Sequence, residues 1–328
     1  RYAAFGRPAL VWDSHDGRAC VYTFAQMRDL AARFAHILTD RGVGPGDVVA
    51  GLLPRIPELL VTILGTWRVG AVYQPLNTAY TPAEIAYFVE DAEPKLIVCD
   101  PARQAEMRTL ADRCKVFAVV NLDARGEGSL AALAATMDDR CETAERAADD
   151  LAGLLYTSGT TGRSKGAMIS HGNLASNAET LVELWRISDG DILLHALPIF
   201  HVHGLYVALN TAFLAGASIV WLDRFDARAM IDAMPGCTLM MGVPTFYTRL
   251  LAESSFTRDA VRNMRLFVCG SAPLLAETHQ DFSARTGQAI LERYGMTETG
   301  MITSNPYDGD RVAGTVGFAL PGVSIRIA

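Results

Sequence analysis

Runs of lysine and arginine are missing from this 328-residue sequence, and its formal net charge is −7. Nucleic-acid surfaces normally carry a basic patch or stripe, so that class of partner is excluded. Apolar stretches are also short. None reaches the about 18 residues needed to span a bilayer, and the first residues lack the charged-then-apolar pattern of a secretory signal. Cysteine is scarce, with six residues at 20, 99, 114, 141, 237 and 269 and no CxxC pair, so neither a zinc site nor a redox pair is suggested. Cys99 in "LIVCD" and Cys269 in "LFVCG" sit in apolar runs, where a reduced thiol acts as a small hydrophobe. A reducing, cytoplasmic setting is expected.

What is present is ordinary globular composition, half hydrophobic and a fifth charged, in a chain long enough for two lobes. Short apolar runs alternate with helical patterns. "DVVAGLL" (47–53), "AVYQPL" (71–76) and "KLIVCD" (95–100) read as buried strands. Between them lie a helix started by Thr23 and stopped by Gly42, and one started by a Thr81, Pro82, Glu84 capping box. A polar stretch, 121–150, reads as a connection between two sheet subdomains. Beyond it the strands resume at 191–197, 218–222, 237–243, 264–270 and 288–295, with Gly287 closing the helix before the last. This βαβ grammar predicts parallel sheets covered by helices, an α/β fold.

The stretch "YTSGTTGRSKG", 156–166, offers glycines, hydroxyls and two cations with little to bury. Backbone N–H groups freed by glycine can converge on an anion, and Lys165 supplies a point charge for it. The Walker A pattern GxxxxGK[ST] is absent, and the apolar runs on both sides read as strands, with the next helix expected only around Asn173. The stretch is therefore expected to be a hairpin tip that folds over a phosphate chain.

Ligands of open α/β sheets bind beyond the carboxyl ends of strands. Four such ends carry polar or turn residues: "PIFHVHG" after 191–197, "PTFY" after 237–243, "SAPL" after 264–270 and "RYGMTETG" at the last strand. His201 and His203 are two apart with no third metal ligand nearby; one of them could donate to a carboxylate. Gly270 allows close backbone approach, and Ser271 could donate to a ligand or cap a helix. Tyr294 offers a flat face and Gly295 access to it, Thr297 a hydroxyl, and Glu298 a carboxylate able to hold Mg²⁺ along with phosphate oxygens. Together they suggest a nucleoside triphosphate with Mg²⁺.

"YTSGTTGRSKG" paired with "YGMTE" resembles the AMP-forming synthetase superfamily of acyl-CoA synthetases, luciferases and adenylation domains. "LPIFHVHGL", "GVPTFYTRL", "GSAPL" and "GTVGFALPGV" follow the same order. The resemblance implies ATP-dependent activation of a carboxylate as acyl-AMP, with release of pyrophosphate, and then transfer to coenzyme A. It also implies two doubly wound sheet subdomains, 1–150 and 151–300, with 301–328 starting a barrel-like part.

Residue by residue, Thr157, Ser158, Gly159, Thr160, Thr161, Gly162, Arg163, Ser164 and Lys165 would wrap the β- and γ-phosphates. Gly270, Ser271, Ala272 and Pro273 would line the adenine edge, and Tyr294 would stack on the base, with Gly295 and Met296 beside it. Thr297 would meet the α-phosphate, Glu298 would bind Mg²⁺ and His201 would sit beside the acyl carboxylate.

Arg293 departs from the small residue common before this tyrosine. A guanidinium forks onto carboxylates and is costly to bury without an anion, so Arg293, if it lines the acyl pocket, asks for a second carboxylate, with His201, His203 and Ser271 as the other candidates to hold the substrate carboxylates. Pairing with Glu292 is the alternative, weakened by strand alternation. That pattern is similar to malonyl-CoA synthetases. A ligase for monocarboxylic acids and a nucleotide-binding module remain open as readings. The chain starts at Arg1 and stops in "GVSIRIA", so it is expected to be part of a longer protein. The family's C-terminal lid with its lysine is expected to lie outside it, leaving binding with little adenylation.

Overall fold

The computed structural model describes residues 6–13, 19–157 and 163–326. The strands among them are β1 (Pro8–Asp13), β2 (Ala19–Thr23), β3 (Val48–Leu52), β4 (Val72–Pro75), β5 (Leu96–Cys99), β6 (Ala118–Asn121), β7 (Leu151–Thr157) and β8 (Lys165–Ser170), then β9 (Ile192–His195), β10 (Ser218–Trp221), β11 (Leu239–Gly242), β12 (Leu266–Cys269), β13 (Leu291–Met296), β14 (Gly300–Ser304) and β15 (Phe318–Ala319). Two compact units form, one of Arg1–Gly6 with Tyr22–Leu174 and one of Arg7–Val21 with Ala175–Ala328.

In the first unit the sheet order is β6-β5-β3-β4-β7-β8. The inner strands run parallel because helices return the chain between them, and β3, β4 and β5 are almost wholly buried, which is why they read as continuous apolar runs. The expected caps form. Thr23 Oγ1 accepts from the Gln26 N–H, and Gln26 reaches back to Thr23; Thr81 and Glu84 do the same with Pro82 at the first helical position. Ile85, Phe88 and Val89 of the helix Pro82–Ala92 pack with Ala50, Leu52 and Ile97 of the sheet.

The expected break near 150 is displaced. β7 lies beside β4 and β8 pairs antiparallel with β7, so both complete the first sheet, and the unit ends at Leu174. The polar stretch 121–150 is thus an excursion within this unit. It carries a short helix, Ser129–Ala134, held to β6 by reciprocal bonds between Asn121 and Ser129. The helix expected around Asn173 starts two residues earlier, at His171.

In the second unit the order is β15-β14-β13-β12-β11-β9-β10-β1-β2. β9 pairs with both β10 and β11, so the chain leaves β9 toward one side and then returns to the other, creating a switch point. Gly287 ends the helix Ala276–Thr286 at a φ of 74°, as its sequence position predicts. The stretch 301–328, expected to start a barrel-like part, contributes antiparallel edge strands to this sheet.

Candidate functional site

The glycine-rich hairpin emerges from the first unit with Tyr156 opposite Gly166 and Thr157 opposite Lys165. Ser158, Gly159, Thr160, Thr161 and Gly162 lie outside the described residues. Its base is anchored on the helix Pro82–Ala92. The Tyr156 hydroxyl donates to Asp91 Oδ2 at 2.6 Å, and its ring stands 4.5 Å from that of Phe88. Burial and the Asp91 bond hold this phenol protonated. From the same helix Tyr87 donates to the carbonyl of Ser164, just before β8, at 2.7 Å, and the Arg163 guanidinium lies 4.3 Å from the Tyr87 ring. Arg163 is thus engaged at the hairpin's root by a cation–π contact, while Lys165 is exposed.

In the second unit a cavity of about 420 Å³ opens at the carboxyl ends of β12 and β13, lined by Cys269–Leu274, Glu292–Gly295, Gly314 and Val316. Arg293 is only 3% exposed, and its Nε and Nη2 have no hydrogen-bond partner among the described residues. Burial lowers its pKa to about 10, so it remains a cation at neutral pH. The alternative pairing with Glu292 does not form. Glu292 turns to the other face and accepts the Gly314 N–H at 2.9 Å, and no carboxylate among the described residues is ion-paired with Arg293.

Beside the guanidinium lies His203, 3% exposed, with Nδ1 hydrogen-bonded to Ser271 Oγ at 3.1 Å and Nε2 without a partner among the described residues. Burial, then the charge of Arg293, holds its pKa well below the ordinary value, so the ring is neutral. A π-helical turn, His203–Ala208, follows β9 and turns this side chain inward. Gly204 is required there, since a Cβ would sit 2.2 Å from the Pro198 carbonyl oxygen.

Ser271 adopts a left-handed φ of 70°, uncommon for a residue with a side chain and frequent at functional sites. Its helix-cap alternative is not observed, because the next helix starts at Ala276 with Leu275 in the cap position. His201 is exposed, with its ring 4.5 Å from that of Phe200. Of the two histidines, it is His203 that the fold brings to Ser271 and Arg293. The Cys269 thiol in the same cavity is pushed up to about 12 by burial and by Glu292, which leaves it protonated and unreactive.

β13 continues into the "YGMTETG" turn. Its pairing with β14 shifts register between Tyr294 and Gly295, a bulge that re-aims the strand, and Tyr294 ends 46% exposed. Gly295 passes so close to β14 that a Cβ would stand 2.3 Å from the Gly300 carbonyl oxygen. Thr297 and the exposed Glu298 fall in the turn, near Met296, whose N–H donates to Thr299 Oγ1. Among the described residues no three His, Cys, Asp or Glu side chains gather into a metal cage. A carboxylate such as that of Glu298 suits Mg²⁺, which is usually shared between one or two carboxylates, water and substrate phosphates.

Several supporting residues escaped sequence reasoning. Asn177 brackets Met301, accepting its N–H at 3.1 Å and donating to its carbonyl at 3.0 Å. Tyr87, Phe88 and Asp91 hold the hairpin from a helix seventy residues earlier, and no local pattern marks them. Gly314 and Val316 belong to "GTVGFALPGV", a stretch matched to a family but assigned no role.

The AMP-binding enzyme family matches residues 2–328. The chain is 36% identical over 329 residues to malonate–CoA ligase ACSF3, mitochondrial, of Mus musculus, covering 93% of this chain and 55% of that protein. It is 34% identical over 291 residues to malonate–CoA ligase of Arabidopsis thaliana, covering 82% and 48%. The crystal structure of ATP-bound MatB from Rhodopseudomonas palustris superposes with a TM-score of 0.92 at 51% identity, covering 98% of this chain and 63% of that one. The chain thus spans about half the length of the curated relatives it matches.

Proposed function

The chain belongs to the AMP-binding enzyme family, and on that premise we propose that it is the nucleotide- and acid-binding part of an ATP-dependent dicarboxylate–CoA ligase, with malonate as the acid. In this reading a malonate carboxylate oxygen attacks the α-phosphorus of ATP. The bond from that phosphorus to the bridging oxygen breaks, giving malonyl-AMP and pyrophosphate. The sulfur of coenzyme A then attacks the acyl carbon, and AMP leaves.

The observation that carries the substrate class is the buried, unpaired guanidinium of Arg293 on a cavity wall. An isolated buried cation is unfavourable until an anion meets it, and a monocarboxylic acid would spend its only carboxylate on the reaction. The second carboxylate of malonate supplies that partner in a bidentate fork. His203 and Ser271 orient it from the side, and the neutral ring adds no competing charge. His201, exposed two residues before the π-helical turn, faces the reacting carboxylate in this proposal. The relatives named for malonate and the ATP-bound neighbour support both halves of the reading.

For the nucleotide, Tyr294, with Gly295 and Met296 beside it, offers a half-exposed ring to the base, and Gly270–Pro273 its edge. Thr297 meets the α-phosphate. Thr157–Lys165 take the β- and γ-phosphates, with Lys165 holding the departing pyrophosphate. Glu298 would hold Mg²⁺, which offsets phosphate charge when bound. The cytoplasmic setting read from the reduced cysteines belongs to the proposal too.

The test is product analysis of the full-length enzyme with malonate, methylmalonate and acetate in competition. Malonyl-CoA with AMP and pyrophosphate is expected, and ADP as product would overturn the reaction class. Arg293→Gly should weaken malonate use far more than ATP binding. A variant that kept its preference for malonate over butyrate would overturn the substrate assignment.

A further inference from the structure

We propose that Glu292 is a positioning residue that, together with Asn305, clasps the segment 312–316 into place as a wall of the Arg293 cavity, and that it acts as a hydrogen-bond acceptor rather than as a charge. Its neighbour Arg293 suggests the opposite role, a counter-ion. Yet successive strand residues face opposite ways, and the Glu292 carboxylate is spent on the Gly314 N–H at 2.9 Å. Gly314 has a φ of 76°, a conformation that glycine adopts without penalty.

Asn305 closes the clasp from the other side. Its backbone N–H and its Nδ2 both donate to the Glu292 carbonyl, at 3.0 and 3.1 Å, and Nδ2 donates also to the Thr315 carbonyl at 2.7 Å. Its Oδ1 accepts the Val312 N–H at 3.3 Å. One buried carboxamide thus ties β13 to both ends of the segment that carries Gly314. Farther on, Gly317 passes so close that a Cβ would stand 2.2 Å from the Asn305 nitrogen. Gly314 and Val316, which line the cavity with Glu292 and Arg293, are therefore held through Glu292 and Asn305.

A charge is not needed for this. The groups near the carboxylate are His279, on the helix behind it, and the Cys269 thiol, and neither forms an ion pair with it among the described residues. An acceptor oxygen in the same place serves equally, as a glutamine provides.

The effect on ligands rests on the function proposed above, whereas the clasp itself does not. Two variants separate acceptor from charge: Glu292→Gln keeps an acceptor oxygen, and Glu292→Met keeps the volume without one. Amide exchange at Gly314, followed by NMR, and affinities for malonate and for ATP, by calorimetry, are measured on each. Glu292→Met is expected to speed Gly314 exchange and weaken malonate binding, each by about tenfold, the upper end of the loss expected for one ordinary hydrogen bond. Glu292→Gln is expected to restore both to within about twofold. Unchanged exchange in Glu292→Met, or a Gln variant as impaired as the Met variant, overturns the proposal. If the Met variant does not fold, Asn305→Ala loosens the same segment and is read the same way. If the wild-type chain binds neither ligand, the functional reading fails while the exchange rates still judge the clasp.

Discussion

The guanidinium of Arg293 lies flat against Gly270, so closely that a Cβ on Gly270 would stand 2.5 Å from Arg293 Cζ and 2.7 Å from Nε. The glycine after β12 therefore makes room for the arginine on β13. Gly270→Ala is expected to push the guanidinium out of place, lowering stability by about 1–3 kcal/mol as overpacking does and weakening malonate binding at least as much as ATP binding. Paired calorimetric titrations check this; unaltered malonate affinity would mean that the arginine's position does not matter.

Arg293→Met separates stability from binding, because the two should move in opposite directions. Removing a buried charge that lacks a partner is expected to raise the melting temperature of the ligand-free chain, by an amount on the order of 1–4 kcal/mol in stability. Malonate affinity should fall by about 2–5 kcal/mol, the usual loss when one member of a desolvated charge pair is deleted. Thermal denaturation and titration of the same preparation decide, and a destabilised variant would indicate that Arg293 serves the fold.

Asn177 bears on the turn that carries Thr297 and Glu298. Met301 is buried, and the Asn177 carboxamide bonds both its N–H and its carbonyl. Asn177→Ala removes both bonds and should cost about 1–3 kcal/mol for each buried group left unsatisfied. Asn177→Asp should not rescue it, since a carboxylate cannot donate to the Met301 carbonyl. Melting curves of the two variants test this, and a fully stable Asp variant would contradict the bracket.

His203 should make stability depend on pH. Its folded pKa lies well below the ordinary 6.5 because the ring is buried beside Arg293. As pH falls through 6.5 the unfolded chain takes up a proton that the folded chain refuses, so stability is lost from there downward. His203→Asn, which keeps a polar atom for Ser271, should flatten that part of the profile. Melting temperatures between about pH 8 and about pH 5 show it, and identical slopes for both proteins would exclude His203 as the source.

Glu292 has the opposite dependence. Burial raises its folded pKa above the ordinary 4.5, partly offset by the Gly314 bond and by His279. Between those two pKa values the folded chain holds a proton more firmly than the unfolded one, so stability declines as pH rises through the window. Glu292→Gln should therefore be more stable than wild type at neutral pH, with the gap closing below pH 4.5. A gap that is constant with pH would assign the difference to packing.

Periodicity, caps and loop composition decided much of this protein in advance. The strand runs, the Thr23 and Thr81 caps, the Gly287 stop and the strand-to-strand setting of "YTSGTTGRSKG" are local, and local physics makes them legible. Alternation along β13 already set Glu292 and Arg293 on opposite faces. The tertiary structure decided what depends on chain crossings. It assigned the hairpin to the first sheet rather than the second, because β7 lies beside β4. It brought His203 rather than His201 to Ser271 through a π-helical turn that no period announces. It left Arg293 without a carboxylate partner among the described residues by giving Glu292 the Gly314 N–H, twenty-two residues away. Residue type can say that a buried guanidinium needs an anion; only the packing around it can say that none of the described residues supplies one.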